Sequence, residues 1–250
     1  PRTKILLTVI YIVALFCAES FVSYGLMVAL LITGVKVSGV APKALVKGLK
    51  PVLFIIVFTA LLNLFFTPGE RYVLEWGFLR VSDTGLRNAV FMVLRIMLLI
   101  MGTFLMTYTT SPISLTGGLE RLLNWMKRLH VPVHEFAMMM TIALRFVPAF
   151  LEETDKIMKA QMSRGVDFES GNILERGKKL IPVLVPLFIA AIRRASDLAM
   201  AMDARCYNGG EGKTRLHPLI YEKRDYIAYG IMLLYVVIMI FCSFILKRFF

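Results

Sequence analysis

Two arginines stand at closely matched places in this chain. Arg164 lies in Gln161-Met162-Ser163-Arg164-Gly165, and Arg205 lies in Met202-Asp203-Ala204-Arg205-Cys206. Each follows a stretch with helical apolar periodicity, so each is predicted to close a helix. Lys156-Ile157 and Asp197-Leu198 stand equally far before the two arginines, so both helices present the guanidinium at a similar phase. A planar guanidinium can bind carboxylates or backbone carbonyls bidentately, which suits docking better than an ammonium does. A cation in a last helical turn followed by Gly is also ordinary capping, and Arg164 alone reads well that way. The pairing is what favours two docking points, held outside a bilayer, that pass force between a membrane partner and a soluble one.

Other constellations carry less. Asn208-Gly209-Gly210-Glu211-Gly212-Lys213-Thr214 ends like a phosphate-binding P-loop, but Tyr207 stands where the first Gly is needed, and the segment follows a helix rather than a strand. It reads as a glycine-rich turn. His130 and His134 are four apart, yet Pro132 lies between them and no third ligand is near, so a pair of loop histidines is the expectation rather than a metal site. Glu152-Glu153 reads as a solvated helix start. No Ser-His-Asp or Cys-His set is recognisable. We expect no catalytic residue, no metal and no cofactor.

Composition bounds the class. The chain has 250 residues, is 58% hydrophobic and carries a net charge of +12. So much apolar content exceeds what a water-soluble domain of this length can bury, which makes an all-α polytopic membrane protein the natural class. Only about half of the chain is apolar enough for lipid, so a substantial water-facing part is expected too. Excess Lys and Arg in cytoplasmic loops accounts for the charge, and no basic-aromatic signature accompanies it, so nucleic acid is not an expected partner. Cys17, Cys206 and Cys242 are odd in number and far apart, which excludes a disulfide framework. The chain begins with Pro1, from which we expect that the true N-terminus is missing. The first apolar stretch has no small-residue cleavage site, so no signal peptide is expected.

From Ile5 to Val35 the sole charge is Glu19, and both flanks are basic. Cytoplasmic flanks on both sides need an even number of crossings. Two short, tilted helices turning near Glu19-Ser20 are predicted. Lys36 to Lys50 reads as an amphipathic connector, Val52 to Phe66 as a third span closed by Thr67-Pro68-Gly69, and Glu70 to Thr84 as an outer loop. Leu86 to Tyr108 is a fourth span interrupted by Arg95, which at that depth pairs with an acid or faces water. Between Ser111 and Asp225 charges recur every few residues while apolar positions keep a helical period. Two long amphipathic helices are predicted there, roughly Val147 to Ser163 and Pro186 to Ala204. Tyr226 to Leu246 is a fifth span. The organisation expected is 1–110, transmembrane helices one to four; 111–225, cytoplasmic or interfacial coupling helices; and 226–250, a C-terminal transmembrane helix.

Six ordered stretches resemble one family. They are Pro1-Arg2-Thr3-Lys4; Gly48-Leu49-Lys50-Pro51; Leu115 to Glu120; Ala143-Leu144-Arg145-Phe146-Val147-Pro148; Ala160 to Gly165; and Arg194 to Arg205. The set is similar to the transmembrane T component of energy-coupling factor transporters, the vitamin-uptake members of the ABC class. The resemblance implies a non-catalytic scaffold, multi-pass in a prokaryotic cell membrane. Its two X-Arg-X helix ends would dock on two ABC ATPase subunits, and its coupling-helix surface would hold a substrate-binding membrane S component. Carried over, Ser163, Arg164 and Gly165 form one contact, and Ala204, Arg205 and Cys206 the other. Cys206 departs from the small residue expected there. The alternatives open at this point are a permease subunit of a conventional ABC importer and a stand-alone secondary transporter. Neither the vitamin nor the ATPase met by each arginine is legible.

Overall fold

The computed structural model describes residues 1–18, 20–66, 72–76, 79–207, 209 and 220–249; at 66, 72–76, 79–81, 173 and 243–249 it describes the backbone alone. Glu19, the expected stop at Thr67-Pro68-Gly69 and most of the glycine-rich segment 208–214 lie outside these residues. In chain order the helices are α1 (Arg2–Cys17), α2 (Phe21–Ser38), α3 (Pro42–Leu49), a 3-10 turn (Lys50–Val52) and α4 (Leu53–Phe66); then α5 (Asp83–Thr109), α6 (Pro112–Leu122), a 3-10 stretch (Leu123–Leu129), α7 (Val133–Ser163), α8 (Ile173–Asp203) and α9 (Lys223–Phe249). The protein is all-α and polytopic, with one small addition. Where the sequence predicts a loop, β1 (Tyr72–Trp76) and β2 (Leu79–Ser82) pair antiparallel. Tyr, Val and Trp in β1 favour the extended backbone.

Among the described residues, five segments are long and apolar enough to cross a bilayer: Phe21–Ser38, Pro42–Phe65, Asp83–Thr109, Val133–Ser163 and Lys223–Cys242. These are not quite the five expected. α1 has 16 residues, about 24 Å at ~1.5 Å per residue, short of a ~30 Å hydrocarbon core. It is one arm of the short pair predicted before and after Glu19. α7 enters the group through its length, with the lowest hydropathy of the five at 1.3.

The prolines explain that length. The sequence places helix starts near Val147 and Pro186, but α7 begins at Val133 and α8 at Ile173, with Pro148, Pro182 and Pro186 inside them. A proline removes one N–H and frees the carbonyl four residues earlier. The hydrogen-bond ladder nevertheless persists on either side, and each helix runs on through its prolines. Pro186 frees the carbonyl of Pro182, and the Gln161 side chain of α7 donates to that oxygen at 3.5 Å, at the long limit of a hydrogen bond. Glu152 and Glu153 are therefore mid-helix residues and not a helix start.

By contacts the chain divides into two compact units, Pro1–Gly118 with Leu219–Phe250, and Leu119–Pro218. In the first, α5 packs on α1, α2, α3 and α4. Its core gathers Tyr11, Leu15, Tyr24, Met27, Leu98 and Met239. Gly102 admits the Tyr11 ring against the α5 backbone, and a Cβ there would overlap it. The Tyr11 hydroxyl donates to the Leu98 carbonyl at 3.0 Å, which satisfies the one polar atom of that ring. Outward, Phe54 is 78% exposed and Leu233 68%. Water would penalise such faces, and lipid does not. At one end of this unit Lys4 Nζ donates to the last-turn carbonyl of Thr109 at 2.7 Å, complementing the α5 dipole, while Thr3 Oγ1 donates to Asp225 Oδ1 at 2.7 Å and ties α1 to the start of α9.

Arg95 sits in the middle of α5. Its Nε donates to the Tyr24 hydroxyl at 3.1 Å and its terminal N–H to the Ala18 carbonyl at 3.2 Å. Ala18 is where α1 ends, so the guanidinium closes the backbone of the α1–α2 turn. The other side of that turn is closed by Ser20, whose Oγ accepts from the Ser23 N–H at 3.4 Å. Arg95 also lines a polar hollow of about 420 Å³ with Asn63, Thr84, Arg87 and Asn88. It thus bridges the first two helices through neutral oxygens while facing a polar space.

Candidate docking site at two matched helix ends

The ends of α7 and α8 share one backbone design. At α7, the Val166 N–H donates to the Gln161 carbonyl at 3.1 Å and the Gly165 N–H to the Met162 carbonyl at 2.9 Å, with Gly165 at φ +90°. At α8, the Tyr207 N–H donates to the Met202 carbonyl at 3.0 Å and the Cys206 N–H to the Asp203 carbonyl at 2.9 Å, with Cys206 at φ +56°. Both are Schellman caps, in which a left-handed residue just past the helix turns the chain back on its last carbonyls. Arg164 and Arg205 occupy the same place in each, the residue before the left-handed one. The triplets Ser163-Arg164-Gly165 and Ala204-Arg205-Cys206 are superposable by rule, and all six residues are exposed.

A third end serves as a control. The 3-10 stretch closes with the His130 N–H on Lys127 at 3.1 Å and the Val131 N–H on Met126 at 3.4 Å, and His130 lies at φ +60°. The residue in the arginine's place there is Leu129. The cap closes on backbone groups alone, so it does not explain why α7 and α8 both carry arginine.

The two histidines are not the loop pair expected, because His134 lies in the first turn of α7. His130 is the left-handed turn residue, whereas His134 Nδ1 pairs with Glu120 Oε1 at 2.9 Å. Among the described residues no group of three or more His, Cys, Asp or Glu could hold a metal ion.

Cys206 carries a cost that Gly165 does not. A side chain in the left-handed region costs about 1–2 kcal/mol, partly offset in any Gly variant by extra freedom of the unfolded chain. Cys206→Gly is expected to firm the α8 end by about 0.5–1 kcal/mol. Hydrogen exchange at Arg205, Cys206 and Tyr207 would slow by a few fold; unchanged or faster exchange would contradict the strain.

After the α7 cap, Asp167 accepts from the Glu169 N–H at 2.9 Å and the Ser170 N–H at 3.4 Å. Hydrogen bonds from the Ser170 side chain and from Glu169 hold its carboxyl below the usual range. Lys179 Nζ returns to the Ser170 carbonyl at 2.8 Å, which fixes the path from α7 into α8.

Between the caps, α7 and α8 run antiparallel. Glu153 meets Arg194 at 3.0 Å, and farther along α7 Gln161 meets Pro182, earlier on α8. The two arginine ends therefore leave the crossing in opposite directions. Beside it lies an apolar groove of about 550 Å³, lined by Phe150 and by Leu184, Val185, Leu187, Phe188 and Ile189 of α8. Its walls are open, with Phe188 68% exposed. Sequence reading finds the arginines but misses the groove, whose residues are split by Pro186 in the chain and joined only by the continuous helix.

The chain is similar to proteins of known kind along most of its length. The model of a family described as cobalt transport protein (CbiQ) matches residues 1–216. The energy-coupling factor transporter transmembrane protein EcfT of Clostridium kluyveri is 53% identical over 229 residues, 91% of this chain and 85% of that protein. The protein of the same name from Acidaminococcus fermentans is 49% identical over 241 residues, 96% of this chain and 90% of that protein. The one from Bacillus subtilis is 46% identical over 225 residues, 90% and 85%. With five apolar segments and this extent of similarity, the chain belongs to the family of EcfT proteins, the transmembrane components of energy-coupling factor transporters.

Proposed function

We propose that this chain couples two ABC ATPase subunits to a substrate-binding membrane S component that takes up a vitamin or related micronutrient across the cell membrane. The coupling region is residues 111–225. Arg164, with Ser163 and Gly165, docks on one ATPase, and Arg205, with Ala204 and Cys206, docks on the other. The observation that carries this reading is the pair of matched caps, each presenting an exposed arginine whose guanidinium the cap does not use. Closure of the ATPase dimer on ATP moves the two docked ends relative to each other, and α7 and α8 carry that motion to the groove, where the S component sits. A ligand moves an equilibrium only through contacts that differ between states, and the arginine ends supply them. Catalysis stays with the ATPases; this chain positions and transmits.

Reconstitution tests the reading. Vesicles holding this chain, its two ATPases and an S component are expected to accumulate vitamin only with ATP. Accumulation by this chain alone on an ion gradient would contradict it.

A further inference from the structure

The Glu153–Arg194 pair has a second geometric property. Arg164 lies 11 residues beyond Glu153 (153 to 164), and Arg205 lies 11 residues beyond Arg194 (194 to 205). At ~100° per residue, 11 residues fall within about 20° of three whole turns, so each docking arginine shares a helix face with the bridging residue of its own helix. At ~1.5 Å per residue, each arm is about 16 Å long. The bridge thus sits at equal distance, and at equal phase, from the two ends.

We propose that Glu153 and Arg194 are the fulcrum of the α7–α8 pair: positioning residues that fix the point about which the two arginine ends turn. This rests on the docking reading given above.

Two contacts hold the point, and a third, longer one lies eight residues farther along α7. Arg194 donates to Glu153 Oε2 at 3.0 Å. The same guanidinium lies over the Phe150 ring, 5.6 Å from its centre, one turn before Glu153 on α7. Gln161 takes the carbonyl of Pro182 that Pro186 leaves open. Sliding α8 by one residue would shift Arg194 by about 1.5 Å and swing it by about 100°, out of reach of Glu153. The bridge therefore selects one register. It does so at little gain in stability, because both side chains are about a third exposed (36% and 32%) and solvent screens the pair. Equal arms make the device symmetric: a turn of about 10° moves each end of a ~16 Å arm by about 3 Å. Phe150 also lines the apolar groove, so motion about the fulcrum reaches the groove directly.

The test needs no partner. In the full chain in lipid nanodiscs, Cys17, Cys206 and Cys242 are replaced by Ser, and spin labels are placed on cysteines introduced at Ser163 and Ala204. The distance distribution between labels, read by pulsed electron spin resonance, is expected to be narrow. Glu153→Ala or Arg194→Ala is expected to widen it at least twofold at unchanged helix content, and the exchange Glu153→Arg with Arg194→Glu is expected to restore it. A distribution indifferent to the single variants, or a widened one that the exchange leaves wide, would overturn the fulcrum. A chain that loses helix content on Glu153→Ala would also overturn it, because the bridge would then be holding the fold. None of these results bears on whether the arginines dock, which is read by ATPase binding.

Discussion

Reversing both charges, with Arg164→Glu and Arg205→Glu, is expected to leave the chain folded in its membrane and, on the docking proposal, unable to hold the ATPases. The fold survives because both caps are made of backbone N–H and carbonyl groups, and Leu129 shows the same cap without arginine. The partners are lost because a docked guanidinium is a desolvated, hydrogen-bonded charge. Truncating one member of such a pair costs on the order of 2–5 kcal/mol, which is about 30-fold or more in affinity. Reversal adds repulsion against whatever acceptor the arginine met. Each single variant is therefore expected to weaken co-purification of the ATPases by at least about 30-fold, and the double variant to abolish it. Arg→Lys keeps the charge and loses the fork, so an intermediate loss of about tenfold is expected. Affinity capture with circular dichroism on the same samples reads both halves. ATPase recovery at wild-type level from the folded double variant would refute the docking role.

The second large effect lies far from the first. Arg95→Met is expected to destabilise the transmembrane unit by about 2–4 kcal/mol. The guanidinium closes the Ala18 carbonyl and meets the Tyr24 hydroxyl, and Tyr24 is almost fully buried. Methionine fills similar space and relieves the cost of an ion at that depth, which lowers the penalty. It also leaves the Tyr24 hydroxyl and the Ala18 carbonyl without their donor, at about 1–3 kcal/mol each. Arg95→Lys reaches one oxygen but not both and should fall between. Thermal unfolding of the full chain in nanodiscs, followed by near-ultraviolet dichroism, measures the order wild type, Lys, Met. A methionine variant as stable as wild type would show that the α1–α2 turn closes without Arg95.

Much of this architecture is legible in the residues alone, and the failures are instructive. The break near Glu19-Ser20 is readable because charge and a capping serine interrupt a run too long for one crossing. α4 and α9 follow from unbroken apolar stretches, and α5 from one that Arg95 interrupts. The long helices of the second unit are misread at Pro148, Pro182 and Pro186, because a proline costs a helix a hydrogen bond and some strain but does not oblige it to end. On α8 the Gln161 side chain takes the carbonyl that Pro186 frees. From that one error follow two others: Glu153 read as part of a solvated helix start, and the groove along α8 unseen. The two arginines are visible from their spacing. Their identical caps are not, since Gly165 announces a left-handed turn and Cys206 does not. Contacts such as Glu153 with Arg194 join residues far apart in the chain, and nothing local marks them.

The central claim is that the two arginine ends touch the ATPases. A photo-reactive amino acid placed at Ser163 in one version of the chain and at Ala204 in another, in the assembled transporter, tests it at the positions that flank each guanidinium. Irradiation followed by mass identification is expected to yield adducts with an ATPase subunit from both positions. Adducts confined to lipid or to this chain itself, from either position, would contradict the account.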